Sequence, residues 1–244
     1  RLLRRFDRVA VTAPEDARAL RALVPAARVA VGPNGVDLDH FRPHPGPYAP
    51  ATLVFSGKMS YHANVTAVLY FVRQILPLVR QARPDVRLLI AGSNPPREIL
   101  ALTRDPAISV SGYLPDLRAA LGQATVALCP VTVKVGIQNK LLEAMAMGLP
   151  VVSSREGVEG LAAQPGQDLL VGESPAAFAS HVCRLLADPD LRDRLGLAGR
   201  RYVETHHRWD EAARRLELLY AEAMEQRVTA YRPARALPAG RSIL

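Results

Sequence analysis

From residue 51 onward, short runs of apolar and β-branched residues alternate with longer amphipathic stretches. Such runs predict buried strands, and apolar residues at helical spacing, as between residues 65 and 79, predict helices. The first helix is expected over residues 64–82. A helical stretch follows each predicted strand, and the strands are residues 52–56, 86–91, 108–111, 125–129, 150–153 and 168–171.

Short buried strands that alternate with helices indicate an α/β fold whose parallel sheet is covered on both faces. We therefore expect a Rossmann-like, doubly wound domain. The predicted helix caps agree with this fold. Asn94, Ser174 and Asp188 each precede a proline, which is typical of a helix start, and Gly148 is placed to end a helix.

The chain before residue 51 follows another pattern, with a predicted strand at 8–13, a helix at 14–23 and a strand at 28–31. Because the first residue is Arg1, we expect the chain to begin inside a longer protein. The predicted division is an N-terminal piece (1–41), a proline-rich linker (42–50), the Rossmann-like domain (51–206), a last helix (207–226) and a basic, disordered tail (227–244).

The charge distribution does not favour nucleic-acid binding. The formal net charge is +8, but residues 1–8 carry +3 and residues 227–244 carry +4, so the rest of the chain is nearly neutral. A nucleic-acid-binding domain is expected to gather its basic residues on one folded surface. The basic tail is instead a candidate for peripheral contact with an anionic membrane surface.

Composition excludes several other classes of protein. With 49% apolar residues the chain can bury a core, its apolar runs are shorter than a membrane span, and no segment resembles a signal peptide. Two cysteines, Cys129 and Cys183, give neither a metal-ligand spacing nor a disulfide framework. We therefore expect a soluble, cytoplasmic protein with two free thiols.

Lysine is rare in this chain, since only three of the 31 basic residues are lysine. Lys58, Lys134 and Lys140 all lie beside glycine-containing segments, and a compact ammonium is a good point-charge partner for phosphate. Lys58 follows Ser56 and Gly57 in the loop after the first predicted strand. Ligands of open α/β sheets bind at such loops, although a glycine there is equally often a simple turn.

Two further loops are candidate ligand sites. In one, Gly112 and Tyr113 are placed to line a flat pocket for a nucleobase, whereas Asp116 is better explained as a helix N-cap. In the other, residues 136–139 open a helix whose first amides would bind an anion. Within that helix Glu143 stands among apolar residues, so it is either exposed or buried with hydrogen-bond donors.

Four segments carry a resemblance to a known family: residues 31–37, 55–64, 111–113 and, above all, the sequence NKLLEAMAMGLPVV at 139–152. Taken together and in this order, they resemble family 4 retaining glycosyltransferases of the GT-B fold. The similarity spans roughly residues 6–225. It looks closest to bacterial sugar transferases of exopolysaccharide clusters.

The resemblance implies two Rossmann-like domains facing a cleft, with this chain holding the C-terminal, donor-binding domain and the end of the N-terminal, acceptor-binding domain. The helix from Trp209 would cross back to the N-terminal domain. The implied reaction transfers a sugar to an acceptor hydroxyl with retention, in polysaccharide or glycolipid synthesis. The implied partners are a nucleotide-diphosphate sugar, a saccharide or lipid-linked acceptor and the missing N-terminal domain, with no cofactor and no metal.

The resemblance also assigns individual residues. Lys58 and Lys140 would stabilise the leaving diphosphate, residues 136–139 would hold the diphosphate and sugar through their amides, and Glu143 would bind the ribose hydroxyls. The implied donor-binding residues are Ser56, Gly57, Gly112, Tyr113, Gly136, Ile137, Gln138, Asn139 and Glu143.

Two positions depart from the pattern of the family. Val135 stands where many relatives have a second glutamate that contacts the donor sugar. Asn64 stands where a phosphate-binding lysine often follows the first loop. Lys140 or Lys134 would take over part of the role of that lysine.

Two other motifs are better explained structurally. Asp37-Leu38-Asp39 spells the D-x-D of metal-dependent glycosyltransferases of another fold, but here it lies in a connector. His206 and His207 are better interpreted as a helix junction than as ligands.

Three alternative functions stay open. They are a GT-B-fold epimerase, a phosphorylase and a module that binds a nucleotide sugar without turnover. The lack of a convincing cofactor-linking lysine disfavours the phosphorylase.

Overall fold

The computed structural model describes residues 2–32, 34–43, 49–133 and 136–230. The strands are β1 (Val9–Val11), β2 (Val29–Val31), β3 (Thr52–Ser56), β4 (Arg87–Ala91), β5 (Ile108–Gly112), β6 (Val126–Cys129), β7 (Val151–Ser153) and β8 (Leu170–Val171). The α-helices are α1 (Pro14–Leu23), α2 (His62–Tyr70), α3 (Leu76–Ala82), α4 (Arg97–Leu100), α5 (Arg118–Gln123), α6 (Asn139–Ala146), α7 (Arg155–Val158), α8 (Pro175–Ala187), α9 (Pro189–His206) and α10 (Trp209–Ala230).

The expected Rossmann-like sheet is confirmed. Six strands pair in parallel in the order β5-β4-β3-β6-β7-β8, and every residue of β6 and β7 is buried, so that both faces of the sheet are covered there. The chain proceeds outward from β3 to β5 and then starts again beside β3 with β6. The loops that leave β3 and β6 therefore diverge and open a crevice at the carboxyl edge, which is the usual ligand position in such folds.

The helix expected over residues 64–82 is present but interrupted. It begins at His62, and the π-helical segment Phe71–Ile75 separates α2 from α3. Pro77 lies directly beyond this segment. Because proline has no N–H, it cannot donate to the carbonyl group four residues earlier, and the wider π turn accommodates this break.

Most of the predicted helix ends are confirmed. The Ser174 hydroxyl accepts a hydrogen bond from the Ala177 N–H at 3.2 Å, and the Asp188 carboxylate accepts one from the Leu191 N–H at 2.9 Å. Gly148, with φ of +70°, follows the end of α6. These caps satisfy backbone groups that a helix end leaves without partners.

The cap predicted at Asn94 is wrong. Asn94 has φ of +56°, and α4 begins only at Arg97. Two prolines, Pro95 and Pro96, follow Asn94. A residue before proline is disfavoured in the α conformation, and Pro96 itself is extended, with φ of −71° and ψ of 166°, so the helix starts only after it.

The N-terminal piece forms its own two-stranded parallel sheet from β1 and β2. Residues 34–43 connect it to the larger sheet and are held by Arg200 of α9, whose guanidinium donates to the carbonyl oxygens of Phe41 and Ala146 at 2.6 Å each. Residues 44–48 of the predicted linker lie outside the described residues. The domain boundaries drawn from the sequence stay predictions.

Helix α10 returns to the start of the chain. Glu222 and Arg227 of this helix pair with Arg8 and Asp7 at 2.9 Å and 2.8 Å. The helix ends at Ala230, four residues beyond the predicted end at residue 226, and residues 231–244 of the predicted tail lie outside the described residues. Within the described residues, no helix combines the length and apolar character needed to cross a membrane.

Candidate functional site

The ammonium group of Lys140 occupies the crevice between the ends of β3 and β6. It donates to the side-chain oxygen of Asn64 at 2.8 Å and to that of Gln138 at 3.0 Å, and it lies 5.0 Å from the centre of the Phe55 ring. Phe55 belongs to β3, and Lys140 belongs to the first turn of α6. The lysine therefore joins the two loops that diverge at the switch point of the sheet.

Asn64 links this lysine to the loop after β3. Its side-chain N–H donates to the Lys58 carbonyl oxygen at 2.9 Å, while its side-chain oxygen accepts from Lys140. Gly57 lies beside it with φ of +152°, and a Cβ at that position would lie 2.7 Å from the Asn64 side-chain nitrogen. Gly57 thus leaves the space into which the Asn64 amide packs.

The start of α6 has no side-chain cap. Gln138 occupies the N-cap position, but its side chain makes no hydrogen bond to the helix amides, and no acidic residue lies in the first turn. An uncapped helix start carries unsatisfied N–H groups and a partial positive charge. A lysine in that first turn adds to the positive potential, so the arrangement favours an anionic ligand.

Burial shifts the pKa values of two side chains of α6, Lys140 and Glu143. Desolvation lowers the pKa of the Lys140 ammonium, an effect that attraction to Cys129 and Glu143 opposes. Desolvation likewise raises the pKa of the Glu143 carboxyl, which attraction to Lys140 opposes. Glu143 is half-buried, and no donor among the described residues forms a hydrogen bond with its carboxylate, so it can accept ligand hydroxyl groups.

The structure brings some predicted site residues together. Ser56 and Gly57 end β3 beside the Asn64 amide, and Gln138 and Asn139 open α6. The Asn139 side-chain oxygen also accepts a hydrogen bond from the Asn34 side-chain amide at 2.8 Å. Ile137 is buried directly before Gln138. These residues lie in the two loops that meet at the switch point.

The side chains of other predicted residues stand apart from these contacts. The Lys58 side chain is exposed, and no hydrogen bond or ion pair of its ammonium is found among the described residues. Gly112 ends β5, which is two strands away from β3, and Tyr113 follows it and is 74% exposed. Lys134 and Val135 lie outside the described residues.

Gly136 faces the N-terminal piece. A Cβ on Gly136 would lie 3.9 Å from the side-chain oxygens of Thr12 and Asp16, which flank the start of α1. On the same side, a cavity of about 480 Å³ extends between Glu15 and residues 155–161. The α6 loop lies close to this cavity, because a Cβ on Gly160, one of its lining residues, would lie 3.5 Å from the Ile137 side chain.

Sequence reasoning assigned no role to three residues that build this site: Phe55, Asn34 and Gly92. A Cβ on Gly92 would lie 1.8 Å from the Gly57 carbonyl oxygen, so only glycine allows the loop after β3 to pack against the loop after β4. A glycine directly after a strand was the available signal for Gly92. Asn34 and Phe55 lie in two of the segments that carry the family resemblance, residues 31–37 and 55–64, but their contacts join distant parts of the chain and were not predicted.

The D-x-D motif of the connector has a structural role. The Asp37 carboxylate accepts hydrogen bonds from the N–H groups of Asp39 and His40 at 3.1 Å and 2.8 Å. His206 and His207 form the expected junction between α9 and α10. Among the described residues, no group of three or more His, Cys, Asp or Glu side chains is placed to hold a metal ion.

Comparison with curated proteins reveals relatives over most of the chain. It is 30% identical over 218 residues to a GDP-mannose-dependent α-(1-6)-phosphatidylinositol monomannoside mannosyltransferase of Mycobacterium tuberculosis, covering 80% of this chain and 56% of that protein. It is also 30% identical over 222 residues to a D-inositol 3-phosphate glycosyltransferase of Xylanimonas cellulosilytica, covering 82% and 52% respectively. The chain thus spans about half the length of the curated relatives it matches.

Solved structures share the fold. Sucrose-phosphate synthase of Thermosynechococcus elongatus superposes with a TM-score of 0.77 at 23% identity, over 92% of this chain and 60% of that one. The Anabaena protein HepE, solved with UDP and glucose, gives a TM-score of 0.75 at 14% identity, over 90% and 64%. Residues 50–188 match the family described as glycosyl transferases group 1. The chain belongs to this family of GT-B-fold, family 4 glycosyltransferases.

Proposed function

We propose that this chain is the donor-binding half of a retaining glycosyltransferase that moves a sugar from a nucleotide sugar to an acceptor hydroxyl. The diphosphate of the donor would lie in the crevice between β3 and β6. The nucleoside would extend over the sheet edge toward β5, and the sugar would face the cleft beside the N-terminal piece.

The observation that carries this proposal is the placement of Lys140. A partly buried ammonium in the first turn of an uncapped helix is electrostatically unfavourable, since both carry positive charge. No carboxylate among the described residues lies within 4.0 Å of it. A bound diphosphate would supply the missing negative charge.

The chemistry needs charge stabilisation. As the bond between the anomeric carbon and the phosphate oxygen breaks, the diphosphate would leave with the bonding electrons. The acceptor oxygen would bond to that carbon, and its proton would pass to an oxygen of the departing diphosphate. Lys140 and the first amides of α6 would stabilise the departing charge, with Lys58 closing over it from the opposite loop. The proposal involves no metal and no other cofactor.

We assign ligand contacts to the remaining predicted residues from their positions in the fold. Glu143, one turn into α6, would accept the ribose hydroxyls. Gly112 and Tyr113 would lie under the nucleobase at the end of β5. Ser56, Gly57, Gly136, Ile137, Gln138 and Asn139 would line the diphosphate and the sugar.

The acceptor side of the proposal rests on the relatives. One is named for phosphatidylinositol mannoside and another for inositol phosphate, so we propose a glycolipid or polysaccharide acceptor. The cleft beside Glu15 is where such an acceptor would enter, completed by an N-terminal domain. We place the reaction in the cytoplasm, with peripheral contact at the inner face of the membrane.

Calorimetry with UDP, GDP and their glucose and mannose conjugates tests the proposal. The protein should bind one nucleoside diphosphate, and Lys140→Met should weaken that binding at least about tenfold, since it removes a charged hydrogen-bond donor. Arg104→Met is a matched control, because it removes one exposed positive charge elsewhere. Unchanged affinity in Lys140→Met would refute the assignment.

A donor-hydrolysis assay on the same samples separates catalysis from binding. Release of sugar from the bound donor is expected for the glycosyltransferase with its complete acceptor half. Binding without any turnover in that complete protein would instead support the nucleotide-sugar-binding module.

A further inference from the structure

We propose that Asn64 and Gln138, here called the amide pair, hold the Lys140 ammonium in position without a direct ion pair, so that its charge stays available to the donor diphosphate. This inference rests on the proposed function and deepens it. Asn64 and Gln138 are positioning residues, and Lys140 is the residue that would touch the ligand.

The orientation of the Asn64 amide is determined on both sides. Its N–H group donates to the Lys58 carbonyl oxygen at 2.9 Å, so its oxygen must face Lys140, which donates to it at 2.8 Å. The side chain is only 6% exposed, and the open side of Gly57 accommodates it. The packing therefore specifies an amide rather than a freely rotating side chain.

The amide pair brings together both sides of the switch point. Asn64 follows the loop after β3, whereas Gln138 precedes α6 and also approaches the Gly136 carbonyl oxygen at 3.4 Å. Two of the three N–H donors of Lys140 are used by these amides, so one is left for a ligand. The Phe55 ring supports the ammonium at 5.0 Å.

The neutrality of the pair distinguishes Lys140 from two other shielded cations, Arg80 and Arg200. Arg80 pairs with Asp105, and Arg200 pairs with Glu204, at 2.5 Å and 2.6 Å. Lys140 receives oxygen acceptors from two amides instead. An amide oxygen orients an ammonium through its dipole without cancelling its charge, whereas a carboxylate at the same distance would compete directly with a phosphate.

This arrangement makes a prediction that a purely structural role does not. Asn64→Asp preserves the shape of the side chain and its contact with Lys140, but it neutralises the lysine. Asn64→Ala removes both hydrogen bonds, but it leaves the positive charge. If the amide pair only supported the fold, Asn64→Ala would weaken nucleotide binding more than Asn64→Asp.

The experiment is calorimetry of the wild-type protein and both variants with UDP and GDP, together with the Tm of each. We expect Asn64→Asp to weaken binding of the preferred nucleotide about tenfold or more, because the carboxylate would compete with the diphosphate for the Lys140 ammonium. Asn64→Ala should weaken binding only a few-fold, because it leaves the charge of Lys140 unpaired. Gln138→Glu and Gln138→Ala repeat the comparison from the other side of the ammonium, should Asn64→Asp fail to fold.

The outcomes separate the two levels of inference. Weaker nucleotide binding by the acidic variant than by the alanine variant, at Asn64 or at Gln138, supports the role of the amide pair. Equal or tighter binding by the acidic variant than by the alanine variant overturns that role and leaves the proposed function standing. A wild-type protein that binds neither UDP nor GDP overturns the proposed function, and this inference with it.

Discussion

The side-chain amide of Asn34 donates a hydrogen bond of 2.8 Å to the side-chain oxygen of Asn139, the first residue of α6. The carbonyl oxygen of Asn34 also accepts from the Nδ1 group of His207, at 2.8 Å. One residue of the connector therefore contacts both the start of the proposed diphosphate-binding helix and the junction of α9 with α10. The connector is consequently a structural support of the site.

A double-mutant cycle measures this support. Asn34→Ala and Asn139→Ala should each weaken nucleoside diphosphate binding a few-fold, and the double variant should be no weaker than the weaker single variant. The coupling in binding free energy should be about 0.5–1.5 kcal/mol, the range of an ordinary hydrogen bond. Strictly additive effects would show that the contact does not act on the site.

Gly35 is expected to tolerate no side chain. A Cβ there would lie 2.8 Å from both the backbone nitrogen and the Cα of Trp209, so the connector or the start of α10 would have to move. Gly35→Ala should lower the free energy of unfolding by about 1–3 kcal/mol, as overpacking does. Urea denaturation measures this loss.

Gly32→Ala provides the matched control for that variant. Gly32 lies three residues earlier, and a Cβ there would meet nothing within 4 Å. The stability of Gly32→Ala should stay close to that of the wild type. Equal losses in the two variants would mean that contact with Trp209 is not the cause.

Local pattern was sufficient to predict the parallel sheet and the positions of its strands. β3 has the predicted bounds, because four consecutive apolar or β-branched residues between a proline-containing turn and a glycine have few other interpretations. The π-helical segment and the late start of α4 were missed. Both arise from prolines that alter the backbone inside a stretch whose side-chain pattern is otherwise helical.

The candidate site was predictable only in part. Lys140 was recognisable because lysine is rare in this chain and because a glycine loop precedes it. The role of Asn64 as an acceptor for Lys140 was not, since 76 residues separate the two and only the sheet order brings them together. Asn64 departs from the pattern of the family, and its contact explains how Lys140 is held.

Stability between pH 7.5 and 5.5 should depend on His207. This side chain lies between the Tyr202 hydroxyl at 3.0 Å and the Asn34 carbonyl oxygen at 2.8 Å. Desolvation by burial lowers its pKa, the hydrogen bond to Asn34 opposes this shift, and the net direction is down. Because the folded state disfavours the protonated ring, the unfolded state binds the proton more readily. The contribution of His207 to the free energy of unfolding is fully present above the pKa of the unfolded state, near 6.5, and is lost as the pH falls below that value.

Thermal melts at several pH values test this dependence. The Tm of His207→Gln should fall less steeply between pH 7.5 and 5.5 than that of the wild-type protein. His206→Gln removes the adjacent histidine, which is exposed, and should keep most of the wild-type slope. The same slope in His207→Gln and the wild type would place the pH dependence elsewhere, for example at His181, whose pKa is also lowered by burial.

Arg200 should be among the most important side chains for stability, because it joins three segments. Its guanidinium donates to the Phe41 carbonyl oxygen in the connector, to the Ala146 carbonyl oxygen at the end of α6 and to the Glu204 carboxylate, at 2.6 Å each. The last carbonyl groups of a helix have no partners within the helix, so Arg200 satisfies one of them. Arg200→Met would leave two partly buried carbonyl groups without donors, and we expect a loss of about 2–4 kcal/mol in unfolding free energy. Arg201→Met changes the adjacent, exposed arginine and should cost less than about 0.5 kcal/mol in urea denaturation, so similar losses in both variants would contradict this role.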